Sequence, residues 1–315
     1  MKKQDYDFLR AHIVLHAISS FEPDLLQRCA GPLLKGMSAC IEGPPGLRSA
    51  VSSSPDFWTI LHALHSVPTA AAQVFQIFED LAQSPNAGVT ADNYEQFMSL
   101  ANAFATAGSV GATEEQKRDR ELRKGKQAKA AKAKQLDEVE RGKKALAAVY
   151  KLTVRVPDFI QQSHFEATEA WNAFWSPIFR VLTNQCLNPC REIRHQAFNS
   201  LQRSLLSKDL ASPDHKEWTK IFEEVLFPLI QRLLKPEVWQ QDPVGMSETR
   251  VQAATLLCKV FLSYLVLLSE WDGMLELWCR ILNICDRLMN SGQGDNLVSV
   301  YNRYILELLL LLTIQ

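Results

Sequence analysis

No stretch of this 315-residue chain sustains the period-two alternation of apolar and polar residues that marks a half-buried strand. A sheet architecture is therefore not expected, and the chain reads as all-α. Net charge is also lacking. The 34 Lys and Arg against 35 Asp and Glu leave −1, so no global field draws the protein to nucleic acid or to an anionic membrane. Seven cysteines in a chain of this size do not make a secreted disulfide framework. Residues such as Cys258 and Cys279 fall inside apolar helical runs, which suits buried, reduced thiols in a cytosolic protein. No apolar run is long enough for a bilayer span. The C-terminal ILELLLLLTI is about half the length required and reads as a core helix. The N-terminal MKKQDYDFLRAHIVLHAIS is broken by Asp5, Asp7, Arg10 and His12, where a signal peptide keeps a clean apolar core. A repeat array normally ends in a polar cap, so the apolar C-terminus is read as a sign of a chain cut from something longer.

The usual signatures of chemistry are missing too. There is no GxSxG nucleophile turn, no P-loop and no GxGxxG cradle. His62 and His65 stand three apart on one helix without the Glu of HExxH, and read as partly exposed helix residues. Cys186, Cys190 and His195 have a zinc-like spacing but no local fourth ligand, and read as two buried thiols beside a surface histidine. Glu223 and Glu224 are adjacent on a helix and diverge, which is poor for paired carboxylate work. The tryptophans at 171, 175, 218, 239, 271 and 278 fall mostly on core-facing stripes. No catalytic residue, metal ligand or cofactor is expected.

Helices are what the chain does have. They are expected over Asp5–Ser20, Pro23–Ile41, Phe57–Ser66, Pro68–Leu81 and from about Asp92 to Ala107, with EGPPGLRSAVSSSPD as a loop. From Glu114 to Lys144 the composition turns almost wholly polar, giving a solvated helix or a disordered insert. Its middle is basic and free of acids. Arg123, Lys124, Lys126, Lys129, Lys132 and Lys134 are candidate contacts to a membrane or partner. Aromatics for base stacking are absent there, so nucleic acid is not the expected ligand. Helical patterning resumes at Ala145.

The clearest grammar lies at Asn188–Leu206, NPCREIRHQAFNSLQRSLL. Asn188 and Pro189 are expected to cap and open a helix. Ile193, Ala197, Leu201 and Leu205 make an apolar stripe every fourth residue. The preceding helix carries Trp171, Phe174, Trp175, Ile178 and Leu182 and is interrupted at Pro177. The pattern repeats: Trp218, Phe222, Val225, Leu229 and Leu233 with Pro228 inside, a polar loop near Gln240–Gly245, then SETRVQAATLLCKVFLSYL. Arg194 and Arg250 each open the second helix, and are expected to contact the preceding turn. Leu275, Trp278, Leu282 and Cys285 are expected to form the buried face of a later helix, followed by one from about Asn296 to Leu312. Such units resemble HEAT repeats, which bury their faces only by stacking. The expected fold is a HEAT-like α-solenoid of antiparallel helical pairs with a charged insert. Its expected segments are a helical block at 1–112, a charged basic linker at 113–144 and a helical domain at 145–315.

REIRHQAFNSLQRSLLSKDL, EEVLFPLIQRLLKP, GMSETRVQAATLLCKVFLSYL and LELWCRILNICDRLMNSG resemble, in that order, the C-terminal region of large Golgi-type Arf guanine-nucleotide exchange factors of the brefeldin-A-resistance (Gea-like) branch. PDFWTILHAL and NYEQFMSLANAFA are weaker echoes. The resemblance implies helical domains downstream of the catalytic domain, without its catalytic glutamate. It implies a scaffold that helps position an exchange domain, with an Arf-family GTPase met through that missing domain. It also implies peripheral attachment to Golgi membranes or to proteins on them from the cytoplasm. A direct lipid-binding helical module, and a free-standing HEAT-type protein- or RNA-binding protein, are the competing readings.

Overall fold

The computed structural model describes residues 3–84, 88–123, 133–207, 210 and 219–291. Trp218, the helix expected from about Asn296 to Leu312 and the ILELLLLLTI run lie outside the described residues. Every regular element among the described residues is helical, so the fold class is all-α, with the stacked helices of a solenoid. The chain divides into two compact units, Met1–Val181 and Leu182–Gln315.

In the first unit, α1 (Lys3–Ser19), α2 (Pro23–Arg28) and α3 (Ala30–Glu42) are followed by α4 (Pro45–Ser52), where a loop was expected. Pro44 and Pro45 start this helix rather than break it, because a proline near the N-terminus removes only an N–H that has no helical partner. Ala50 and Val51 then bury its inner face. Next come α5 (Pro55–Leu64), α6 (Ala71–Gln83) and α7 (Tyr94–Ala107). They meet at an aromatic core. Phe78 stacks on Phe97 with centroids 4.4 Å apart, and Trp58 meets Phe97 edge-on at 6.3 Å. The Trp58 indole N–H donates to the Ser52 carbonyl at 2.7 Å, so its one polar atom is satisfied inside. Gly88 is required by close approach, since a Cβ there would lie 2.0 Å from the Leu81 carbonyl oxygen.

The charged run is helical on both sides, as α8 (Gly111–Arg123) and α9 (Ala133–Leu152). Helix α9 lies along α7 and starts twelve residues before the expected resumption at Ala145. Val139 and Gly142 continue the buried face of Leu146 and Val149 backward into a polar-looking sequence. Two small apolar contacts at helical spacing were enough to seat it. Helices α7 and α9 pack together within the first unit. After it come α10 (Val156–Ser163), α11 (Ala167–Ala170), a π-helical turn at Trp171–Trp175 and α12 (Ser176–Gln185).

The second unit holds α13 (Arg191–Leu205), a second π-helical stretch at Ile221–Leu226, α14 (Phe227–Leu233), α15 (Pro236–Gln241), α16 (Pro243–Ser263), α17 (Leu265–Ser269) and α18 (Met274–Met289). Helix α16 is its centre, packing on α13, α14, α15 and α18. The two π stretches end just before Pro177 and Pro228. A proline offers no N–H and crowds the carbonyl four residues back, and a π turn widens the spiral to absorb both effects. The expected interruption is thus a local change of pitch. The buried face of α18 is Leu277, Ile281, Ile284, Cys285 and Leu288. Of the expected stripe Cys285 is buried, Trp278 and Leu282 are half-buried and Leu275 is 72% exposed, while Cys279, expected to be a buried thiol, is exposed.

Candidate functional site

A densely bonded polar group of the second unit is built where α13 and α16 begin. Asn188 does not cap α13 directly. Its side-chain oxygen accepts the Cys190 N–H at 2.9 Å, folding an Asx turn that leaves Cys190 at the N-cap. That turn brings two carbonyls inward, and Arg194 answers them. Its Nη1 donates to the Asn188 and Pro189 carbonyls at 2.7 and 2.9 Å. Its Nε donates to Thr249 Oγ1 at 3.2 Å, and its Nη2 to Asp242 Oδ2 at 2.6 Å. The side chain is 0% exposed.

Asp242 binds three partners at once. Arg191 grips it through two bonds, Nε to Oδ2 at 2.8 Å and Nη2 to Oδ1 at 2.7 Å. Its Oδ1 also accepts the Gly245 N–H at 3.2 Å and so caps α16. Burial alone would raise the carboxyl, but the bonds from Arg191 and Arg194 and from the Gly245 amide hold it well below the usual carboxylate range. Gly245 completes the group by having no side chain. A Cβ there would stand 2.1 Å from Asp242 Oδ2 and 2.3 Å from Arg194 Nη2.

Glycine to alanine inside a helix normally gains about 0.5–1 kcal/mol. At Gly245 the sign is expected to reverse, with a loss of about 1–3 kcal/mol from overpacking. Gly36 of α3, where a Cβ would meet nothing within 4 Å, serves as the control and should show the ordinary gain. Urea denaturation of both variants checks the pair, and a neutral Gly245→Ala would show that the contact at α16 is slack.

Arg250 repeats the logic in the next unit of the pattern. Its Nε donates to the Leu233 carbonyl at the end of α14, at 3.0 Å, and its guanidinium lies 4.5 Å from the Trp239 ring centroid. Both arginines therefore contact the preceding turn or helix end. Arg194 goes further and joins two successive repeat units. Asp242 was hidden in the sequence as part of a polar loop. The Asp242-Pro243 pair was the signal, an N-cap residue before a proline at the first helical position.

Other candidates fall differently. Cys186 and Cys190 are buried, and burial pushes the Cys186 thiol up despite Arg194 and Arg232 nearby. His195 is exposed. Among the described residues no group of three or more His, Cys, Asp or Glu is placed to hold a metal. His62 and His65 are half-buried with ring centroids 6.0 Å apart, and burial, then the charge of His65, lower the His62 pKa. Trp171 and Trp175 are buried, while Trp239, Trp271 and Trp278 are half-buried. The thiols of Cys258 and Cys285 share a hydrogen bond; that bond, then burial, pushes Cys258 up. Glu223 pairs with Arg280 at the surface. Of the basic run, Arg123 ends α8 and Lys134 lies in the first turn of α9, while Lys124, Lys126, Lys129 and Lys132 lie outside the described residues. Among the described residues no helix is long and apolar enough to cross a membrane.

Residues 175–313 match the family model described as GBF1-like, tetratrico peptide repeat region. The chain is 33% identical over 127 residues, 40% of its length, to the Golgi-specific brefeldin A-resistance guanine nucleotide exchange factor 1 homolog of Caenorhabditis elegans. It is 31% identical over 116 residues, 36% of its length, to the ARF guanine-nucleotide exchange factor GNOM of Arabidopsis thaliana. It is also 24% identical over 238 residues, 75% of its length, to the ARF guanine-nucleotide exchange factor 1 of Saccharomyces cerevisiae. These matches span 6%, 8% and 16% of the three relatives' own lengths. The part of the chain holding the arginine–aspartate group is thus similar to one region of large Arf exchange factors.

Proposed function

We propose that this chain is a non-catalytic scaffold region, from the C-terminal part of a Golgi Arf guanine-nucleotide exchange factor, and that it positions an exchange domain lying elsewhere in the parent. The observation that carries this reading is the family match over residues 175–313, on the stretch where stacked repeats are tied by Arg194 and Asp242. A rigid stack of helices can present a fixed surface without contributing a reacting group. The parent meets its Arf-family GTPase through the exchange domain, and this chain holds the assembly at the cytoplasmic face of the Golgi. The test has two arms. Tagged chain is imaged in cells against a Golgi marker, and purified chain is added to an Arf GTPase loaded with fluorescent GDP. The expected result is Golgi enrichment that Asp242→Ala abolishes, with GDP release at the uncatalysed rate. Accelerated release would make the chain an exchanger, and a diffuse distribution of the unaltered chain would sink the positioning role.

A second reading rests on the basic run. Arg123, Lys124, Lys126, Lys129, Lys132 and Lys134 would meet acidic lipid, each basic residue near such a surface contributing about 1 kcal/mol. Flotation with phosphatidylserine vesicles is then expected to weaken steeply with salt, and to vanish when all six are changed to Gln. Binding that ignores salt would remove the run from consideration.

A further inference from the structure

Two of the seven cysteines meet inside the second unit. Cys258 lies in α16 and Cys285 stands one turn from the end of α18; both are buried, and their thiols share a hydrogen bond. An independent contact fixes the register of the two helices. Phe261, one turn after Cys258, stacks on Trp278, two turns before Cys285, with ring centroids 5.2 Å apart. The faces of α16 and α18 that carry the cysteines are therefore the faces that pack together. Cys258 and Cys285 are 27 positions apart, and α17 with its exposed Val266 lies between them in the chain.

The shared hydrogen bond makes the two thiols unequal. Cys258 donates its S–H and is pushed up by that bond, then by burial; Cys285 accepts it, and the bond lowers Cys285 against the effect of burial. The thiolate is the reactive form of a cysteine, so Cys285 is the attacking sulfur and Cys258 the partner that follows. The place of Cys285 near a helix end, where helices fray, lets a small solute reach it. We propose that Cys258 and Cys285 form a peroxide-responsive dithiol, whose oxidation to a disulfide ties α18 to α16. The Cys285 thiolate attacks one oxygen of hydrogen peroxide. The O–O bond breaks, hydroxide leaves and takes up the proton that the thiol had shed, and Cys285 becomes a sulfenic acid. Cys258 then attacks that sulfur. The S–S bond forms, the S–O bond breaks, and the Cys258 proton leaves with the oxygen as a second water. The two thiols lose two electrons, and peroxide gains them.

The full chain is treated with hydrogen peroxide, its remaining thiols are alkylated in denaturant, and it is digested with trypsin. Cleavage after Arg250, Lys259, Arg280 and Arg287 puts Cys258 in VQAATLLCK, Cys285 in ILNICDR and Cys279 in a third peptide. The first two are expected to be linked, lighter than their sum by two hydrogens, and to separate under a dithiol reductant. Oxidation should slow amide exchange in α17 and the first turns of α18 by at least about tenfold, since the closed loop limits how far they open. Cys258→Ser keeps a hydrogen-bond donor but cannot close the bond. There Cys285 should stop at the sulfenic acid and be trapped by dimedone, with exchange unchanged by peroxide. Cys279→Ser should link as the parent does. Oxidation confined to the Cys279 peptide, or a link that forms only when peroxide is added in denaturant, would overturn the assignment. So would loss of the link in Cys279→Ser, or a link that leaves exchange in α17 and α18 unchanged.

Discussion

Asp242→Ala is expected to cost the second unit about 3–5 kcal/mol, the range for breaking a buried ion pair by removing one partner. The size follows from what is left behind. Arg194 would keep its bonds to the Asn188 and Pro189 carbonyls and to Thr249, yet its charge, with no exposed surface, would face no carboxylate. Arg191 would lose both of its bonds to Asp242, and α16 its N-cap. Asp242→Asn should cost less, because an amide oxygen can still accept the Gly245 N–H. Chemical denaturation measures both, and a loss below about 1 kcal/mol would mean that the pair behaves like a surface ion pair. In a double-mutant cycle, Arg194→Met with Asp242→Ala should be less damaging than the sum of the two, since the stranded charge is gone.

The same carboxylate sets a pH response whose sign is fixed. Its pKa in the folded chain lies below the ordinary value of about 3.9. The folded state therefore binds fewer protons than the unfolded state at low pH. The contribution is complete above the ordinary value and is lost as pH falls below it, through the lower folded value. Asp242→Asn removes that component. Its stability should fall less steeply than the parent's below about pH 4, as followed by thermal unfolding across an acid series.

Much of the fold could be read before the structure, because stripes such as Ile193, Ala197, Leu201 and Leu205 obey the helical period and are all fully buried. Arginines that open repeat helices were legible for the same reason, since a buried cation there has the preceding turn's carbonyls within reach. What escaped was information that is not periodic. The π stretches before Pro177 and Pro228 arise from ring–carbonyl crowding, which sequence marks only as a proline. The pairing of Arg191 with Asp242 spans 51 positions, which no local pattern encodes. In α18 the buried face includes Leu277 and Cys285 but not the expected Leu275.

The first unit has its own test at Phe97. This ring is 0% exposed, stacked on Phe78 and edge-on to Trp58, so it joins α5, α6 and α7 at one point. Phe97→Ala is expected to cost about 3–5 kcal/mol, combining lost transfer energy with a cavity that aromatic walls close poorly. Phe97→Leu keeps most of the volume and should cost under about 2 kcal/mol. The comparison with Asp242→Ala carries the larger lesson. If the two compact units unfold separately, hydrogen exchange should quicken in α5–α7 alone for Phe97→Ala, and in α13–α16 alone for Asp242→Ala. Exchange that quickens throughout in both variants would show one cooperative fold. A scaffold built of separately stable units can lose one surface and keep the other, so this pair of variants also decides whether a binding defect can be assigned to the first unit or to the repeat clamp of the second.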